Sequence, residues 1–180
     1  MTTQLLTIQN HKFILHPSGS LYWVEEKILF IADVHFGKIT HFRKHGSAVP
    51  EIAKFENFRR LNAVISFFQP KTLYILGDLF HSHLNNEWPL FAEWYRDQKC
   101  TMILIRGNHD VISPLNYSIM GMRVIDKLVY RRFLFTHYPT DVDTYFNIAG
   151  HIHPGVMLKG KGRQRLTVPC FHISKKQLVL

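Results

Sequence analysis

Met102-Ile103-Leu104-Ile105-Arg106-Gly107-Asn108-His109-Asp110 is the stretch that decides how this chain folds. Its first four residues are uniformly apolar, which predicts a buried strand. The turn that follows sets an amide, an imidazole and a carboxylate side by side. Open α/β sheets bind ligands beyond the C-terminal ends of their strands, so a polar cluster delivered there points to a site rather than a scaffold turn. Taken alone the pentapeptide Arg106–Asp110 is suggestive only. Its weight comes from four other apolar runs that end the same way.

Upstream, Ile28-Leu29-Phe30-Ile31-Ala32 runs into Asp33-Val34-His35, and Thr72-Leu73-Tyr74-Ile75-Leu76 runs into Gly77-Asp78. Downstream, Phe133-Leu134-Phe135-Thr136 leads to His137, and Phe146-Asn147-Ile148-Ala149 to Gly150-His151-Ile152-His153. Between these runs, Pro50-Glu51 opens a predicted helix on which Ile52, Phe55, Phe58, Leu61, Val64, Ile65 and Phe68 repeat at helical spacing until Pro70. That phenylalanine stripe is core packing. A second helix, over 86–98, carries Trp88, Phe91, Trp94 and Tyr95 on one face. Before residue 28, the runs 5–8, 12–15 and 20–24 predict antiparallel edge strands. The segment 36–49 reads either as helix or as a loop over the site.

After residue 110 the helical period fades into short strands at 122–125, 128–130, 132–136, 145–149, 155–158, 164–168 and 171–173. Gly160-Lys161-Gly162 marks a hairpin turn between two of them. Alternating β and α followed by mostly β predicts an α/β domain spanning 1–180, with two packed sheets flanked by helices.

Hydrophobic residues at 46% and charged residues at 19% place the chain among ordinary globular proteins and against disorder. No apolar run approaches the ~18 residues of a membrane span, and the N-terminus has no basic n-region, so a cytoplasmic protein without membrane contact is expected. The two cysteines, Cys100 and Cys170, have neither finger nor disulfide-framework spacing. A formal net charge of +9 favours polyanionic partners, nucleic acid first.

The five strand ends together deliver Asp33, His35, Asp78, Asn108, His137, His151 and His153. Asp33/His35 and His151/His153 are i, i+2 pairs, which on extended backbone put both side chains on one side, able to grip one ion. Two carboxylates, one amide and four imidazoles exceed one tetrahedral site and suit two metals sharing a carboxylate. Each residue singly has a plainer reading. A lone Asp after a strand is usually a turn former or cap, and His11, His16, His41, His45 and His172 are left as surface or core histidines. Five coincident strand-end clusters are hard to obtain that way.

Asp33-x-His35, Gly77-Asp78, Gly107-Asn108-His109-Asp110, His137 and Gly150-His151-x-His153, in this order, resemble the signature of the calcineurin-like metallophosphoesterases. Further stretches resemble a narrower branch, the bacterial DNA-ligase-associated metallophosphoesterases: Asp33-Val34-His35-Phe36-Gly37-Lys38, Arg43 with Gly46 and Pro50, Gly77-Asp78-Leu79-Phe80-His81-Ser82, Gly150-His151-Ile152-His153-Pro154, and Pro169-Cys170-Phe171. The resemblance implies a four-layer α/β/β/α sandwich of two mixed sheets. It assigns Asp33, His35 and His153 to one metal, Asn108, His137 and His151 to a second, and Asp78 to both.

It further implies a binuclear phosphodiesterase, a DNA endonuclease of DNA repair beside a ligase, a helicase and a nuclease, with a hydroxide between the metals attacking phosphorus in line. Manganese is the favoured metal, with iron, zinc and nickel as alternatives. His109 takes the place of the histidine that contacts the phosphate and protonates the leaving oxygen, and Asp110 is expected to orient its other ring nitrogen. Lys38, Arg43, His81 and Arg106 are expected to bind substrate, and Lys44, Lys161, Arg163 and Arg165 extend the basic surroundings. The chain departs from the superfamily in carrying His81 and His83 where a further Asp is common, and from the branch in ending at Leu180 without a Pro-, Ala-, Phe- and Gly-containing tail. Two other readings compete: hydrolysis of a small phosphomonoester, nucleotide or pyrophosphate, and a non-catalytic scaffold in a repair complex.

Overall fold

The computed structural model describes residues 2–38, 55–81 and 87–180. The 39–49 part of the uncertain basic segment, with Arg43 and Lys44, lies outside the described residues, as do the predicted helix start at Pro50 and His83. Two mixed sheets form the body. The first has seven strands in the order of the chain: β1 (Gln4–Ile8), β2 (His11–Leu15), β3 (Leu21–Trp23), β4 (Ile28–Ile31), β5 (Thr72–Ile75), β6 (Thr101–Ile105) and β7 (Arg123–Ile125). Its first four strands pair antiparallel and the last four parallel. The parallel half is fed by two crossover helices, α1 (Glu56–Phe68) and α2 (Trp88–Arg96); a short third, α3 (Pro114–Ile119), leads to β7.

The second sheet contains β8 (Leu128–Tyr130), β9 (Phe133–Thr136), β10 (Phe146–Ala149), β13 (His172–Ile173) and β14 (Gln177–Val179), in the order β13-β14-β10-β9-β8. Strands β11 (Gly155–Lys159) and β12 (Arg165–Pro169) pair only with each other, as a two-stranded ribbon.

Period-two alternation along β4, β5 and β6 sorts their side chains between two cores. Leu29, Ile31, Leu73, Ile75, Met102 and Leu104 meet Phe58, Leu61 and Val64 of α1, Phe91 of α2 and Tyr117 of α3. Phe30, Tyr74, Leu76 and Ile105 face the other way and meet Phe133, Phe135, Ile148 and Leu178 of the second sheet, together with Phe13 and Trp23. Trp23 and Phe133 meet edge to face at 4.8 Å, a favoured aromatic geometry. Trp94 Nε1 donates to Asn62 Oδ1 at 2.7 Å and so ties α2 to α1.

The two-sheet α/β sandwich is the expected fold, with one difference in its outermost layer. All helices among the described residues lie on the seven-stranded sheet. On the outer side of the second sheet, Asn147 is wholly buried; it accepts from Thr140 N and donates to Leu134 O and Thr136 Oγ1. The loop carrying Thr140 packs on this face at Asn147. No helix of the described residues is long and apolar enough to cross a membrane.

Candidate metal centre

All five polar clusters meet beyond the same edge of the two sheets, and the connections that carry them continue the pairing of the strands. Asp33 N donates to Gly77 O, His35 N to Asp78 O, Phe36 N to Leu79 O, and His81 N back to Phe36 O. Gly150 N donates to His137 O and so joins the ends of β9 and β10.

The backbone here differs from the sequence reading. Asp33, His35, Asp78, His151 and His153 all take positive φ, between 49° and 71°. For residues other than glycine this conformation costs roughly 1–2 kcal/mol each and persists where the surroundings enforce it, often at functional sites. The i, i+2 pairs therefore lie past the ends of the strands, in left-handed turns, and not on extended backbone. The consequence is visible at His151 and His153, which do not share one ion position. Each joins a different group.

In the first group, ligand atoms of Asp33, His35 and His153 lie within 4.8 Å of one another; in the second, those of Asp78, His137 and His151 do. His137 Nδ1 lies 2.9 Å from Leu76 O, and since a carbonyl only accepts, this nitrogen carries the proton. The lone pair of Nε2 is thereby directed at the cluster, where Asn108 Oδ1 is at 3.1 Å, His151 Nδ1 at 3.1 Å and Asp78 Oδ1 at 3.5 Å. An imidazole nitrogen, an amide oxygen and a carboxylate oxygen converging on one point make a donor set suited to a cation.

The first group gives the same indication by another route. Asp33 Oδ1 and His35 Nδ1 are buried without a hydrogen-bond partner. Such groups cost about 1–3 kcal/mol or more when nothing compensates them. His153 Nε2 is 3.8 Å from Asp33 Oδ1 and lies on the open side. Burial pushes the His35 imidazole down to about 4, so it is neutral at pH 7, the form that coordinates a metal. Burial raises Asp33 above the usual carboxylate range against the pull of His153. The two groups adjoin, since His151 N donates to Asp33 Oδ2 at 3.0 Å. The mixed oxygen and imidazole donors fit divalent cations of intermediate softness.

Asp110 has a different task from the expected one. Its Oδ2 accepts from the amides of Gly107 and Asp78, and its Oδ1 from those of Leu79 and Phe80. Both oxygens are committed to backbone, so the carboxylate does not orient the His109 ring. It clamps the Gly77–Phe80 turn that presents Asp78. Asp110→Asn would turn an amide N–H₂ toward two buried N–H donors. It should lower the unfolding free energy by about 2–5 kcal/mol, measured by urea denaturation of the metal-free protein; an unchanged midpoint would contradict the clamp.

His109 N donates to Asp78 Oδ1 at 2.9 Å, while its ring stacks on His81 with centroids 5.2 Å apart and meets His35 edge to face at 5.5 Å. Lys38 is exposed one turn after His35, and its amide donates to His35 O. Arg106 forms an ion pair with Asp126, so its availability to substrate depends on breaking that exposed pair. Sequence reading missed Tyr138. Half-exposed, it packs against His151 with ring centroids 4.4 Å apart and borders the second group. It also missed Glu87, whose Oε2 accepts from Gly37 N and holds the chain leaving His35. Only its position directly after His137 signals Tyr138, and nothing in the sequence signals Glu87.

A fold of two mixed sheets with paired metal-ligand groups beyond the strand ends defines a metal-dependent phosphoesterase. Residues 26–175 match the family model of the calcineurin-like phosphoesterases, and the chain belongs to that family. Among solved structures it is similar to the Pseudomonas putida nuclease MPE, at 27% identity and a TM-score of 0.81, over 99% of this chain and 85% of that one. An Aquifex aeolicus protein of unknown function, AQ665, aligns at 20% identity over 70% of this chain and 78% of its own, with a TM-score of 0.48. No curated protein sequence matches significantly.

Proposed function

We propose that this phosphoesterase is a two-metal phosphodiesterase that cleaves DNA. The observation that carries the metal count is the pair of adjoining groups: Asp33, His35 and His153 beside Asp78, His137 and His151, with Asn108 completing the second. Asp78, a member of the second group, would serve both positions, as the resemblance of the motifs implies. Support for DNA comes from the net charge of +9 and from the similarity to a nuclease. Manganese is the favoured cation, and a role in DNA repair beside a ligase, a helicase and a nuclease follows from the resemblance of the motifs.

Divalent cations held there supply charge neutralisation at phosphorus and a water of lowered pKa. The chain's own residues do the rest. Asp33 and Asp78 balance the cationic charge, and Leu76 O fixes the His137 tautomer. His109, held by its amide on Asp78, projects its imidazole beside His35 and His81. There it contacts the phosphate and gives a proton to the departing oxygen.

His109→Ala should keep metal but lose about 10²- to 10⁴-fold in turnover on DNA, whose leaving oxygen needs a proton, and far less on an aryl diester. Equal losses on both substrates would remove this role. The reading as a whole is tested on Mn²⁺-loaded protein with an aryl phosphodiester, an aryl phosphomonoester and a circular DNA. Diester hydrolysis and nicking of the circle are expected. Monoester hydrolysis alone would move the protein to small phosphomonoesters, and no turnover with any metal would make it a scaffold.

A further inference from the structure

The β11–β12 ribbon leaves the metal centre directly. It begins two residues after His153, and its base is closed by Cys170 N donating to Pro154 O at 2.9 Å. Nearly every residue of both strands is exposed, and the ribbon adds to neither main sheet. Its register gives it two unlike faces. Gly155 pairs with Pro169, Met157 with Thr167 and Lys159 with Arg165, and directly paired residues of an antiparallel ribbon share a face. Val156, Leu158, Leu166 and Val168 make the opposite, apolar face.

The face that Lys159 and Arg165 share by register with Gly155, Thr167 and Pro169 is the one whose base borders the metal groups. Gly155, Thr167 and Pro169 line a cavity of about 580 Å³ whose wall also includes Asp33 and His153. From Gly155 to Lys159 this face runs roughly 14 Å, the rise of about four nucleotides of a stacked strand. Beyond it the turn adds Lys161 and Arg163.

Among the described residues the charge of this arm is uncompensated. No Asp or Glu occurs after Asp143. Elsewhere on the described surface, Arg59 and Arg60 pair with Glu56, Arg106 with Asp126, Arg131 with Glu26, and Lys176 with Asp141 and Asp143. None of Lys159, Lys161, Arg163 and Arg165 takes part in any of these pairs. Cations at a hairpin edge also guard against edge-to-edge pairing, but that task does not require them to share a face with the residues that border Asp33 and His153.

We infer that the ribbon is the arm along which a polynucleotide leaves the metal centre, with Lys159 and Arg165 binding backbone phosphates two to four nucleotides from the cleaved bond. This rests on the nuclease reading. Contacts of this kind carry affinity without sequence preference and make binding salt-dependent.

The test separates binding from cleavage. Metal-free full-length protein is titrated into a labelled single-stranded oligodeoxynucleotide of roughly 20 residues, at several salt concentrations, and the Lys159→Ala/Arg165→Ala variant is compared with wild type. Affinity should fall at least about tenfold, and the slope of log affinity against log salt should lessen by about 1.4, two phosphate contacts on a single strand. With Mn²⁺ restored, kcat/KM on DNA should fall in parallel, while hydrolysis of an aryl phosphodiester stays at the wild-type rate.

Unchanged affinity and slope in the variant would overturn the arm, as would equal losses on DNA and on the aryl ester. A Val156→Ser/Leu166→Ser variant of the opposite face should leave DNA binding intact; if it alone weakens, the apolar face is the contact and the proposal fails. Wild type that binds the oligonucleotide through Lys159 and Arg165 but does not cut it would retain the arm and refute the nuclease.

Discussion

Asp78→Ala is expected to abolish metal-dependent turnover, lowering kcat/KM by about 10³-fold or more, because several kcal/mol of transition-state charge stabilisation depend on the cations it holds. Asp78 is 2% exposed, and its carboxylate belongs with His137 and His151 to the second group of candidate ligands. It also accepts the amide of His109, so its removal unfastens the catalytic imidazole. The apo protein should tolerate the change better than the enzyme does, since the substitution removes a buried anion. The diagnostic reading is therefore the metal-induced rise in Tm, which follows from binding to the folded state alone. Wild type should gain stability as Mn²⁺ is added, and Asp78→Ala should lose most of that gain. A variant whose Tm still climbs as in wild type would show that Asp78 is not a ligand.

Gly107→Ala is the second change with a large expected effect, although it removes no candidate ligand. A Cβ at this position would collide with Asp78 Oδ1 and lie 2.5 Å from Asp78 N. The backbone atom cannot swing aside, so the turn carrying Asp78 must move. Misplacement by about 1 Å is enough to cost roughly 10²-fold in rate. A matched control exists in Gly121, at φ +85° with nothing within 4 Å of its would-be Cβ. Gly121→Ala should cost about 1 kcal/mol of backbone strain and leave activity untouched. Measured kcat/KM and denaturation midpoints for the pair separate the two effects. Equal activity in both variants would mean that close packing at Gly107 does not position Asp78.

Most of the scaffold could be read from the chain because its strands are nearly continuous apolar runs that stop abruptly. Ile28–Ile31, Thr72–Ile75 and Thr101–Ile105 are largely buried on both faces between helices and the second sheet, and Asp33, Gly77-Asp78 and Arg106 mark the ends of the apolar runs. The clustering of these polar side chains was legible for the same reason. How the backbone brings them together was not. Period-two geometry puts His151 and His153 on one side of a strand, whereas left-handed turns send them to different groups. Nothing in local composition announces that conformation at an Asp or His.

Asp110 reads as part of the chemistry because it adjoins His109; only the fold reveals four backbone amides converging on it. Short elements also escaped. Helix Pro114–Ile119 is too brief to show a period, and Gln177–Val179 gains its place beside β10 entirely from tertiary pairing. The hairpin turn at 160–162 was readable, but not that its two strands join neither sheet.

Anomalous diffraction from crystals of the Mn²⁺-loaded protein tests the central claim most directly. The account predicts two peaks about 3.5–4 Å apart, one among Asp33, His35 and His153 and the other among Asp78, Asn108, His137 and His151. A single peak, or two peaks away from these side chains, would contradict it.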